Sequence, residues 1–87
     1  MIDTKKALYI IEGERDKQKE LWGWQQNSLF QWLSILGEEY GKLCRAVNET
    51  CLEGQQHPEF GGMDNIFCQM VHVAAVATAM LEDVAEN

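Results

Sequence analysis

Apolar residues recur along this chain at intervals of three and four, and Gly and Pro interrupt that rhythm at two places. The interruptions leave three blocks. The first runs from about Thr4 to Leu21 and ends in the turn Trp22-Gly23-Trp24-Gln25-Gln26-Asn27. The second runs from Ser28 to about Glu53. The stretch from Gly54 to Gly62 holds three Gly and the sole Pro of the chain and reads as a loop. The third block runs from about Asp64 to Ala85.

All three blocks carry a helical period. In the second, Leu29, Trp32, Leu33, Leu36, Tyr40, Leu43 and Val47 form one apolar stripe. Ser28 followed by Gln31 has the form of a capping box, in which a hydroxyl and a side-chain amide satisfy free backbone groups. In the third, Asp64 or Asn65 is placed to cap. Ile66, Met70, Val71, Val73, Ala74, Ala77 and Met80 then nearly surround the helix, and a helix apolar on most sides is buried on most sides. Its Ala-rich middle, Ala74-Ala75-Val76-Ala77, permits close approach of another helix. The first block has only a short stripe at Leu8 and Ile11, before a nearly all-polar run from Glu12 to Glu20. Met63, Met70 and Met80 read as core filler.

Composition narrows the function classes. The chain has 87 residues, room for one helical domain over residues 1–87. Seven basic against 14 acidic residues give a net charge of −7, too little basic charge for direct DNA or RNA binding. At 46% hydrophobic residues the chain is not disordered by composition. No unbroken apolar run approaches the roughly 20 residues of a membrane span, so no membrane association is expected. The first residues lack the apolar stretch of a signal peptide. Three Cys is an odd count that suits reduced thiols and a cytoplasmic location. A domain this small buries only about 60% of its unfolded surface, so another copy of the chain is expected to cover part of the apolar remainder, near Val71, Ala74, Ala75 and Thr78.

The chemically loaded stretch is Glu38-Glu39-Tyr40-Gly41-Lys42. Adjacent carboxylates beside an apolar stripe suit a hard divalent cation such as Mg²⁺, with Glu49 near the face of Glu38 by helical phase. The same residues also read as a solvated acidic face with a Glu38–Lys42 ion pair one turn apart.

The segment Ser28-Leu29-Phe30-Gln31-Trp32-Leu33-Ser34-Ile35-Leu36-Gly37-Glu38-Glu39-Tyr40-Gly41 resembles the metal-binding helix of MazG-like nucleoside triphosphate pyrophosphohydrolases. Val73-Ala74-Ala75-Val76-Ala77-Thr78-Ala79 is similar to the second motif helix of the phage and bacterial branch of that family. Glu14-Arg15-Asp16-Lys17-Gln18 with Trp22-Gly23 resembles the lead-in to the first. The resemblance covers about residues 12 to 83. It implies an all-α dimer or dimer of dimers that cleaves a nucleoside triphosphate to the monophosphate and pyrophosphate. Mg²⁺ would sit on an E-E-x-x-E motif and a later E-x-x-D motif, neutralising phosphate charge while a bound water attacks phosphorus. Glu38 and Glu39 match the first two positions. Lys42 stands at the third Glu, Gln69 at the Glu of the second motif and His72 at its Asp, so two of the five expected carboxylates remain. Gln69 and His72 are poor Mg²⁺ ligands, and Lys42 repels a cation. The resemblance therefore implies a metal site centred on Glu38 and Glu39, extended by Gln69 and His72, with weak Mg²⁺ binding and slow or lost turnover. Glu49, Glu53 and Asp64 are the alternatives for completing it.

The expected architecture is all-α. Three main helices, the second and third long and antiparallel, pair with a partner chain into a four-helix-bundle core, giving a homodimer or homotetramer. The function expected is binding, and weak hydrolysis, of a nucleoside triphosphate. The alternative is a non-catalytic oligomeric module that binds a nucleotide or uses its acidic helix surface as a contact patch. Lys42 is a candidate for direct phosphate contact, and Arg15, with Lys17 and Lys19, either forms a solvated helix face or reaches a triphosphate. Trp22 and Trp24 can stack on a base or plug a corner between helices. Cys68 and His72 lie four apart, and with Cys44 and Cys51 they allow either a Zn²⁺ site or buried thiols acting as small apolar residues. His57, beside Pro58, is expected to face solvent.

Overall fold

The computed structural model describes residues 1–52 and 57–85. Among them are three α-helices and one short 3-10 turn, with no strand: α1 Thr4–Trp22, α2 Leu29–Cys51 and α3 Met63–Ala85, with the turn at Pro58–Phe60. The proposed loop is described only from residue 57 onward, and Glu53 lies outside the described residues.

Local chemistry sets the helix ends. Asp3 caps α1 by accepting from the Lys6 backbone N–H at 2.8 Å. Gly23, at φ 68°, ends it and donates to the Lys19 carbonyl, a conformation that costs glycine little. The capping box at α2 is complete: the Gln31 N–H donates to Ser28 Oγ at 3.1 Å, and the Ser28 N–H donates to Gln31 Oε1 at 2.8 Å. The start of α3 departs from expectation. The helix begins at Met63, so Asp64 and Asn65 lie inside its first turn. Gly62 precedes it at φ 97°, and the Asn65 amide donates outward to the Phe60 carbonyl.

α3 lies against both other helices, more extensively against α2. α2 and α3 are antiparallel: Trp32, near the start of α2, packs with Val76, Ala79 and Met80 near the end of α3. α1 runs alongside α3 in the same direction, with Arg15 and Lys19 reaching Glu82. In the Ala-rich middle of α3, Ala75 and Val76 are buried and Ala74 is half-buried, while Ala77 faces outward. Trp32 is 1% exposed, and its indole N–H donates to Asp83 Oδ2 at 2.6 Å. The Asn27 N–H donates to the same oxygen, which ties the α1–α2 turn to the end of α3.

Burial corrects several expectations. On the α2 stripe, Trp32 is buried and Leu36 and Leu43 are half-buried, while Leu29, Leu33, Tyr40 and Val47 face outward. Met63 and Met70 are exposed; of the three methionines only Met80 packs on the core. Ala75, expected at a contact between chains, is fully buried within its own chain. α3 is also long and apolar enough to cross a membrane by length and composition, with a mean hydropathy of 1.3 over its best window, although no unbroken apolar run marks it in the sequence.

Candidate functional site

Glu14, Gln18 and Trp22 recur every four residues on α1 and so share a face. On α2, Glu39 and Lys42 lie on one face at a spacing of three, and His72 faces them from α3. Together they line a cleft of about 420 Å³ whose apolar floor includes Trp32, Ile35 and Val76. Trp22 is exposed on its wall.

The polar groups in this cleft, with Lys17 beside it, form a chain across all three helices. Lys17 Nζ lies 3.8 Å from Glu14 Oε2, and His72 Nε2 lies 3.4 Å from Glu14 Oε1. His72 Nδ1 lies 3.8 Å from Glu39 Oε2, and Lys42 Nζ lies 3.3 Å from Glu39 Oε1. Each of the four carboxylate oxygens therefore faces a protein nitrogen. The imidazole stands between the carboxylates of Glu14 and Glu39 and presents a different nitrogen to each. Lys42 pairs with Glu39 three residues away, where the sequence suggested Glu38 at four.

The residues singled out by the resemblance separate accordingly. Glu39, Lys42 and His72 come together with Trp22. Glu38 is exposed and does not line the cleft, because neighbouring helix positions point about 100° apart. Gln69 is not among the lining residues either. Its Nε2 donates to Asn65 Oδ1 at 3.4 Å, and its Oε1 is buried without a hydrogen bond. Glu39 Oε2 is likewise buried without one, since its distance to His72 exceeds hydrogen-bond reach. The carboxylate oxygens that a divalent cation would need each face a nitrogen, and among the described residues no group of three or more His, Cys, Asp or Glu side chains is spaced to hold a metal. Cys44, Cys51 and Cys68 are free thiols, with Cys44 half-buried and the other two exposed.

Arg15 departs from its expected part. It is buried, and its guanidinium donates to both oxygens of Glu82 at 3.2 and 3.1 Å and to Gln18 Oε1 at 2.8 Å. This pairing holds the Glu82 carboxyl below its ordinary 4.5; the Arg15 hydrogen bond is the main cause, partly opposed by burial and aided by the charges of Arg15 and Lys19. Lys19 also sits 4.4 Å over the ring of Trp24, so neither Trp24 nor Lys19 lines the cleft. Glu49 accepts from the His57 N–H, and His57 is exposed as expected.

Sequence reasoning missed Glu14 and Gln18 as site residues. The four-residue spacing that carries them to Trp22 was legible, but their meeting with His72 depends on how α1 lies on α3. No known family model matches the chain, and no curated protein or solved structure is significantly similar to it.

Proposed function

We propose that this chain binds a nucleoside triphosphate in the cleft between its three helices and hydrolyses it slowly or not at all, as a MazG-like pyrophosphohydrolase with altered metal motifs. The observation that carries this reading is the convergence of Glu39, Lys42 and His72 on one cleft walled by Trp22. These are three of the five motif positions. Trp22 offers a ring for base stacking, and Lys42 offers a point charge for phosphate. Pyrophosphate cleavage develops negative charge that a metal ion ordinarily stabilises. Here three of the five carboxylates are replaced, and Glu38 lies off the cleft.

Pyrophosphate release over a panel of canonical and modified triphosphates is the test. The expected result is little or no turnover by the wild type. The triple variant Lys42→Glu, Gln69→Glu, His72→Asp is expected to gain Mg²⁺-dependent activity. Brisk wild-type turnover would overturn the reading, and a folded triple variant without any gain would count against the motif alignment.

The same reading includes a homodimer with a four-helix core and a cytoplasmic setting for the free thiols. Leu29, Leu33, Leu36, Tyr40, Leu43 and Val47 alternate in steps of four and three, the spacing of a helix–helix seam, and four of the six face outward. The chain exposes 6598 Å², against about 5,200 Å² for a compact monomer of its mass. That excess is larger than the roughly 800 Å² each partner contributes to a standard interface. A second apolar groove between α1 and α3, lined by Ile10, Phe67, Val71 and Ala74, supplies a further face for a dimer of dimers.

A further inference from the structure

We propose that the cleft takes its triphosphate as the metal-free polyanion, with Lys42 and His72 standing where the relatives it resembles use a divalent ion. This rests on the nucleotide reading and adds the state in which the ligand binds. Two carboxylates in a cleft ordinarily repel phosphate. Here Lys17 lies 3.8 Å from Glu14, Lys42 lies 3.3 Å from Glu39, and the His72 ring stands between the two carboxylates, so each negative charge already has a lysine beside it. The arrangement joins all three helices.

Lys42 is the contact point. Its side chain is 51% exposed, and its ammonium has three donors, of which Glu39 takes one at 3.3 Å. The others are open to a phosphate oxygen entering a cleft that Lys42 itself lines. A Mg²⁺–nucleotide complex is disfavoured in the same place. Its metal would seek carboxylate oxygens that already face nitrogens, and it would lie near the Lys42 ammonium. Trp22 on the wall and the apolar floor favour a ligand with a flat apolar part over phosphate alone.

Calorimetry on the full chain, with ATP and with inorganic tripolyphosphate, in EDTA and in excess Mg²⁺, tests this. The expected result is ATP binding in EDTA at least as tight as in Mg²⁺, with tripolyphosphate competing more weakly. Lys42→Ala, at an exposed position, is expected to weaken binding in EDTA about tenfold or more. Glu59→Gln, on the Pro58–Phe60 turn and outside the cleft, is expected to leave it unchanged. ATP binding that requires Mg²⁺ and is indifferent to Lys42→Ala would overturn the metal-free inference and leave the nucleotide reading standing. Absence of ATP binding in both conditions, with helical content intact by circular dichroism, would overturn both.

Discussion

Arg15 shows how one residue can change its part between sequence and structure. In the sequence it belongs to a basic cluster facing solvent or a triphosphate. In the fold it is buried, and its guanidinium fork binds Glu82 through two hydrogen bonds, joining α1 to the end of α3. Arg15→Met removes that bond and leaves Glu82 without its main partner. The expected loss is about 2 kcal/mol in urea denaturation, below the range for fully buried pairs because Glu82 is partly exposed. The pair also sets an acid limb. The folded-state value of Glu82 lies below its ordinary 4.5, so in the intervening pH range the unfolded chain holds a proton the folded chain does not. The stabilisation is fully present above 4.5 and is lost as pH falls through the folded value. Glu82→Gln is expected to flatten stability against pH in this acid range; an unchanged slope would contradict the assignment. That Glu39 and Lys42 share a face, and that Glu38 and Glu39 point apart, was legible from helical spacing. That Glu39 rather than Glu38 meets His72 was not, since it depends on where α3 crosses α2.

At the scale of elements, capping chemistry was the most legible part of the chain. Ser28 and Gln31 sit three apart and satisfy each other's backbone groups, as their spacing predicts. Ser28→Ala is expected to cost about 1 kcal/mol, read as a shifted urea midpoint with unchanged slope. The start of α3 was misread, with the cap expected at Asp64 or Asn65 and the helix already begun at Met63, because side chains that suit a cap also suit a first turn. The backbone there is carried by Gly62 at φ 97°, and its N–H donates to Thr50 Oγ1 at 2.7 Å. Gly62→Ala is expected to destabilise the chain by about 1 kcal/mol through backbone strain alone, since an added Cβ would meet no atom within 4 Å. Thermal denaturation checks it, and an unchanged midpoint would contradict the strain argument.

At the scale of the whole molecule, the three helices leave an open, elongated body of 46 × 30 × 20 Å. Its radius of gyration is 14.4 Å, against about 12 Å for a compact domain of this length. The all-α class was legible from periodicity. Which apolar residues face outward was not, because the α2 stripe is wider than the strip that α3 covers. Light scattering is expected to give at least twice the 9.9 kDa of one chain, and Leu33→Glu, on the outward seam, is expected to yield monomer. A monomeric wild type at micromolar concentration would contradict the seam. The central claim is that the cleft between the helices holds a nucleotide, and its most direct test is a two-dimensional amide NMR titration with ATP. The account predicts saturable shifts concentrated at Glu14, Gln18, Trp22, Glu39, Lys42 and His72, together with the Trp22 indole. Saturable shifts confined to other surfaces, or none at millimolar ATP, would contradict it.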